Sequence, residues 1–395
     1  MTHTTVSEQD IENVEEEEKK RRKLLLLLLL FLLLLCCVGF FVLRYLISPR
    51  PLPEMVPVAN AINYPPHYLF SIYGLDKPVG VTASPDGERI YGSETSGERL
   101  VKIFSRDGAV LGSFAPPDTN AAERSPVYLA MDSNRRVFVS DRLQDAVFIY
   151  DSEGNYLDSI LSPDTTLSKY LTQHLGGSMP EGTTYYYNIF SGLVRLTQPG
   201  IPEQELPAPD LSKWDPLGVR FNRRGDLLVT IATDHTVRVF PTESMTASSF
   251  ADFNPPTITF GGYGQEAGQM LYPNTAVVDS RGRIYVTDGN NGRVSVWDLS
   301  GNYLFDFAKG SAEGSLSLPR GGFIDERDRL FVVDAVGQDV KVYDVAGDTP
   351  VFLYTFGDFG IEDGLFNYPA DIFVDGTGRL YIADRENNRI QVWSY

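Results

Sequence analysis

One spacing constrains this chain more than any other. Gly264, Gly268 and Pro273 recur as Gly310, Gly314 and Pro319, and again as Gly360, Gly364 and Pro369. In each copy the glycines stand nine and five residues before the proline. A repeat of this size means units that bury their apolar faces against one another rather than alone. The spacing speaks to the fold and says little about the ligand.

Within a unit the pattern is that of strands. Pro273 leads into Thr275–Asp279, a turn at Ser280-Arg281-Gly282, then Arg283–Asp288, a Gly/Asn-rich hairpin, Arg293–Trp297, and after Ser300-Gly301-Asn302 a fourth run, Tyr303–Phe307. Alternating apolar residues, β-branched enrichment and regularly spaced Asp/Gly/Asn turns specify antiparallel strands. The third strand always ends on a ring: Phe104, Tyr150, Phe240, Trp297, Tyr343 and Trp393. Rings at one register position are expected to pack between neighbouring sheets, where their large apolar area is most useful.

The ends complement each other. The last unit stops at Tyr395, after its third strand, while Tyr68–Gly74 reads as a fourth strand with no unit of its own. Pairing the two closes a ring and removes an exposed sheet edge. The expected fold is therefore an all-β propeller closed by an N-terminal strand. Pro369–Asp375, Gly378–Asp384 and Asn387–Trp393, with Phe356-Gly357 upstream, resemble NHL repeats. The resemblance covers residues 67–395 apart from an interruption near 162–213 and is sharpest from residue 256 onward.

Six units begin at Pro78, Pro126, Pro216, Pro273, Pro319 and Pro369. The step from Pro126 to Pro216 is 90 residues, nearly double. Six blades plus an insertion are preferred to seven blades, because residues 164–182 offer no apolar inner strand. Leu167, Leu171 and Leu175 instead recur at helical spacing after Asp164-Thr165-Thr166. The insertion reads as a helix and a hairpin, with Tyr185, Tyr186, Tyr187 and Phe190 beside a turn at Ser191-Gly192. These four aromatics are candidates for a lid or partner platform, or for burial against the rim.

The first 66 residues are of another kind. Residues 1–23 are polar and end in Lys19-Lys20-Arg21-Arg22-Lys23; Leu24–Leu43 then runs 20 residues without a charge. At about 1.5 Å per residue this covers about 30 Å, a bilayer core. We assign 1–23 to a cytoplasmic tail, 24–47 to a transmembrane helix and 48–66 to a Pro-rich stalk. Five cations before the span and two after it place the N-terminus inside and the propeller outside, at the plasma membrane. The run is longer than a signal-peptide core, and Ala61 lies too far beyond it for the cut site, so an uncleaved anchor is expected. Cys36 and Cys37 are the only cysteines and both fall in the span, so no disulfide staples the outer domain.

Residues 1–50 carry seven acids and seven bases, so the formal charge of −18 belongs to the outer part. Such a surface repels phosphate backbones and argues against nucleic acid as the ligand. In a propeller, the loops from second to third strand and from fourth to first share one face, the usual binding surface. Asp141, Asp288, Asp334 and Asp384 end second strands there, with Glu94 equivalent. Because they repeat with the blade, they are read as satisfying their own hairpins. Asp132, Asp279, Asp325 and Asp375 are read as turn caps. The better ligand candidates do not repeat: Tyr272, Arg320, Tyr368, Asp371 and Arg385.

No catalytic residues and no metal ligands are assigned. His67, His174 and His235, the only histidines of the outer domain, show no metal-ligand spacing. The histidine-bound zinc of the propeller lyase that amidates peptides maps onto nothing here. No cofactor is expected; Ca²⁺ in the acidic funnel is the alternative. The expected function is a membrane-anchored extracellular binding or scaffold propeller (sensor, adhesion or envelope assembly) with a protein partner. The alternative is a propeller ectoenzyme of lyase, lactonase or esterase type using a divalent cation in the channel.

Overall fold

The computed structural model describes residues 8–47, 65–160, 167–188, 193–207, 214–242 and 256–394. They fall into two units, divided after Pro53. The first holds one helix, α1 (Glu8–Ile47), which begins well before the apolar run. Its stretch Arg21–Phe40 is long and apolar enough to cross a bilayer, and none of that stretch is buried. It is compatible with a single-pass anchor.

The second unit is nearly all β. Six four-stranded antiparallel sheets and one three-stranded sheet are present among the described residues. The first strands of the six are Pro78–Ala83, Pro126–Met131, Pro216–Phe221, Pro273–Val278, Pro319–Ile324 and Pro369–Val374. Each meets the next, and the last meets the first, so they form a closed cycle. The sixth sheet is completed by β1 (His67–Tyr73), which pairs along Arg389–Ser394 from Tyr73↔Arg389 to His67↔Ser394. Closure by the N-terminal strand is thus realised.

Every first strand opens on proline, which lacks an N–H and is tolerated only where the ladder does not need one. A register shift follows each proline. The N–H groups this displaces are taken up by second-strand hydroxyls. Ser93, Ser140, Thr230 and Thr287 accept the N–H of Gly80, Tyr128, Gly218 and Thr275. The same four oxygens donate to the carbonyls of Val127, Leu217, Asn274 and Arg320 in the following sheet. Each hydroxyl therefore repairs its own bulge and staples the seam to the next sheet. At the closing seam Asp371 does this work, its Oδ2 accepting the Val81 N–H at 3.1 Å. The inner strands approach so closely that a Cβ on Gly218 would lie 2.0 Å from the Asn274 carbonyl oxygen.

The third-strand rings pack between sheets as expected; Phe104, Tyr150, Phe240, Trp297, Tyr343 and Trp393 are all buried. Gly268 and Gly364 take positive φ and lie against the rings of Trp297 and Trp393. That explains the repeated glycine five residues before the proline.

The interruption contains α2 (Leu167–His174), where the leucine spacing placed a helix. Its strands correct the hairpin expected there. Thr184–Asn188, Leu193–Gln198 and Ile201–Pro207 form a three-stranded meander. Leu171, Tyr185, Val194 and Leu196 are buried in one cluster with Phe148 and Tyr150 of the second sheet and Phe114 of the first. Tyr156 Oη donates to the Tyr185 carbonyl at 2.8 Å. Tyr185 is thus a packing residue. The side chains of Tyr186 and Tyr187, and all of Phe190 with the turn at 191–192, lie outside the described residues.

Candidate functional site at the ring axis

Tyr272 and Tyr368 immediately precede the prolines of the fourth and sixth first strands. Both adopt left-handed backbone, with φ of 60° and 54°. For a bulky residue before proline this is uncommon and costs of order 1–3 kcal/mol. A second left-handed residue holds each one. His235 (φ 57°) accepts the Tyr272 N–H on Nδ1 at 2.9 Å, and Gln338 (φ 63°) accepts the Tyr368 N–H at 2.6 Å. The same clip joins Asn388 to Lys77 and Asp145 to Asp215. In each clip a hairpin between second and third strands reaches the next sheet. His235 is thereby a structural acceptor.

The clips turn both tyrosines toward a cluster of arginines. Arg142 lies over the Tyr272 ring at 5.5 Å and is held by Asp215 through two hydrogen bonds of 2.7 Å. Tyr368 is flanked by Arg320 at 5.6 Å and Arg385 at 5.7 Å, with Arg320 donating to its hydroxyl at 3.0 Å. Arg385 also pairs with Glu386, which pairs in turn with Lys77 at 3.2 Å. Burial pushes the Tyr272 hydroxyl pKa upward. Four of the five non-repeating candidates therefore meet on one side of the ring.

Asp371, the fifth, sits deeper and is fully buried. Arg220 donates to it at 2.5 Å and also to the Leu129 carbonyl at 2.8 Å. Burial pushes the Asp371 carboxyl up to about 6, against the pull of Arg220 and the Val81 N–H. Arg220 stacks over the ring of Tyr128, whose hydroxyl is raised by burial and feels Arg320, Asp371, Arg220 and Tyr272. Tyr128, Arg142 and Arg220 were not singled out in the sequence. Their one signal is a break in register: Tyr128 stands where three other first strands carry Gly80, Gly218 and Gly321.

The repeating aspartates behave locally. Asp384 accepts from Asn367 N, Asn387 Nδ2, Arg389 Nε and Gln391 Nε2 within 2.7–2.9 Å. Asp288 does the same with Leu271 N, Asn291 and Arg293. Asp132, Asp279, Asp325 and Asp375 each accept two backbone N–H groups of the turn that follows. Among the described residues, no group of three His, Cys, Asp or Glu side chains is gathered as a metal ion would need.

Comparison with known proteins agrees with this architecture. Residues 270–297 and 366–393 match the NHL repeat model. A segment of 49 residues is 41% identical to Protein lin-41 of Caenorhabditis elegans; it is 12% of this chain and spans only 4% of that relative. Among solved structures, a streptogramin B lyase is similar with a TM-score of 0.52 at 11% identity, covering 83% of this chain and 98% of its own. The virginiamycin B lyase of Staphylococcus aureus is similar at 0.51 and 12%, covering 82% and 98%. At such identities the likeness is one of fold. The chain carries NHL repeats within a propeller-like fold, following an N-terminal helix apolar enough to anchor it in a membrane.

Proposed function

We propose that the chain is a membrane-anchored, non-catalytic binding protein, and that its ring receives a protein partner on the face where Tyr272 and Tyr368 lie. On this reading the ring has six blades, and the three-stranded sheet with α2 is an insertion packed on its rim. One observation carries the proposal. Of the exposed large apolar residues in the second unit, Leu143, Tyr263, Val336, Phe359 and Ile361 lie in loops between second and third or fourth and first strands, and Tyr73 ends β1 on the same side. The opposite loops expose none among the described residues. Outermost strands and the inserted sheet account for the rest. Water disfavours such a grouping, and apolar and aromatic anchors around a polar centre are the usual make-up of a protein interface.

Phe359→Ser combined with Ile361→Ser is expected to cut capture of a membrane-proximal partner by tenfold or more, since buried anchors dominate interface energy. Both residues are exposed, at 64% and 71%, so the melting temperature should hold. A control at the opposite end, Arg281→Ser, should retain the partner. Capture that survives the double substitution and fails with Arg281→Ser would place the interface at the wrong end.

The helix reads as an uncleaved signal anchor at the plasma membrane, with the five cations of Lys19–Lys23 on the cytoplasmic side. Protease added to intact cells should then release the ring by cutting within residues 48–66, while a tag on the N-terminal tail stays protected. Loss of the tag with the ring intact would reverse the topology.

A further inference from the structure

We infer that the axis of the ring is a receptor for a carboxylate group, held by Arg320 and Tyr128. The inference rests on the reading of this face as the binding face and names the chemistry it takes.

The register shows where the repeat has been overwritten. The residue after the proline is Val79, Val127, Leu217, Asn274 or Ala370 in five first strands and Arg320 in the remaining one. The next position is Gly80, Gly218, Thr275, Gly321 or Asp371, and Tyr128 in the second sheet. The hydroxyl staples use the backbone carbonyl of Arg320 and the backbone N–H of Tyr128, not the guanidinium or the phenol.

The hydrogen bonding shows what these two lack. The other cations around them carry carboxylates: Arg142 has Asp215, Arg220 has Asp371, and Arg385 and Lys77 share Glu386. Arg320 has none among the described residues. Its guanidinium donates to two neutral oxygens, Tyr368 Oη at 3.0 Å and Asn274 Oδ1 at 3.4 Å. Its Nε–H is buried and bonded to nothing. The Tyr128 side chain is fully buried and its hydroxyl also has no partner. Tyr128 stands on the second of the six first strands and Arg320 on the fifth, opposite positions in the closed cycle, and each lies within two residues of the proline that opens its strand. A half-buried cation without a counter-charge, across the axis from a buried donor without an acceptor, is a costly arrangement. One planar anion with two oxygens answers both, and guanidinium matches carboxylate in geometry.

The surroundings select the charge. Asp371, Asp215 and Glu386 stand nearby, in a chain of net charge −18. A multiply charged phosphate would meet that repulsion in full, whereas a single carboxylate meets less of it. The rings of Tyr272 and Tyr368 border the site and suit an apolar or aromatic portion of the ligand. The carboxylate comes either from a small free acid or from the C-terminus or an acidic side chain of the partner.

The test is calorimetric titration of the full chain in detergent with three probes. These are phenylacetate, an octapeptide of Gly, Ser and Tyr with a free C-terminal carboxylate, and the same peptide as its amide. Arg320→Gln is expected to weaken binding at least tenfold, and Tyr128→Phe, which preserves ring packing, several-fold. Melting curves confirm that each variant is folded; should Arg320→Gln unfold, Tyr128→Phe decides. Binding of phenylacetate that both substitutions weaken supports the site and a free acid as its source. Binding of the free-carboxylate peptide, but of neither its amide nor phenylacetate, supports the site and a partner-borne carboxylate. Failure of all three probes on the folded wild type, or equal affinity in both variants, would overturn the inference. Arg281→Ser, at the opposite end of the ring, should leave the titration unchanged. Partner capture that ignores Phe359→Ser with Ile361→Ser, while Arg320→Gln still weakens the titration, sinks the interface reading alone; capture lost in that double variant, with a titration that ignores Arg320→Gln and Tyr128→Phe, sinks the carboxylate site alone.

Discussion

Removal of residues 64–74 is expected to lower the melting temperature of the ring by about 10 °C or more and to drive it into aggregates. The deletion takes β1 from the sixth sheet and with it a ladder that runs from Tyr73↔Arg389 to His67↔Ser394. At about 0.5–1.5 kcal/mol net per hydrogen bond, that ladder alone is worth several kcal/mol. Ile72 is buried in a cluster with Val81, Ile90, Ile390 and Val392, worth about 1.5–3 kcal/mol more. The edge-to-face contact of Tyr68 with Trp393 at 5.9 Å goes too. The sum approaches the whole stability of an ordinary domain, about 5–15 kcal/mol. The strand Arg389–Ser394 would then present an unpaired edge, which templates association. Calorimetry and size-exclusion chromatography of the truncated chain check this. A monomer melting at the wild-type temperature would mean that the ring does not depend on its N-terminal strand.

Arg220→Met is the second large effect, at about 3–5 kcal/mol of lost stability at neutral pH. The substitution leaves Asp371 buried without its cation, and an uncompensated buried charge is among the most destabilising lesions known. Adding Asp371→Asn should recover most of the loss. The amide oxygen still accepts the Val81 N–H, and no charge remains to solvate. The pH dependence has a definite sign. Burial already pushes the Asp371 carboxyl up to about 6, above its unfolded value near 3.8. A group raised on folding contributes stability that is fully present below its unfolded pKa and lost as pH rises through the folded one. Without Arg220 the folded value rises further. The deficit of Arg220→Met relative to wild type should therefore be small near pH 4 and largest above pH 7. Urea melts at the two pH values measure it. An Arg220→Met protein as stable as wild type at pH 7.5, or a deficit independent of pH, would show that the pair does not hold the axis.

What the chain reveals when read alone is whatever is encoded within one hairpin or at one repeated position. The proline that starts each first strand, the glycine pressed on a ring five residues earlier, and the third-strand aromatic all act over a few residues. Each is therefore visible as spacing. Asp384 with Asn387 and Arg389 belongs to the same class, because its partners lie three to five residues away. The fourth strand with no unit of its own at Tyr68–Gly74 was legible because the missing strand at the other end has the same period. The leucines at 167, 171 and 175 betrayed α2 by helical spacing alone.

The axis was not legible in this way. Arg320 and Tyr368 stood out as departures from the repeat, but nothing near either residue says that they touch. Arg220 meets Asp371 across 151 residues, and Tyr272 takes its clip from His235, 37 residues away. Such pairs exist only once the ring has closed and brought the starts of six strands to one line. Closure also decided that Asp371 faces inward as a buried counter-ion, while Arg320 is left across the axis from Tyr128 with donors to spare. Repeats write the sheets because their hydrogen bonds are local. The site is written in the exceptions to the repeat, and only tertiary structure determines which exceptions meet.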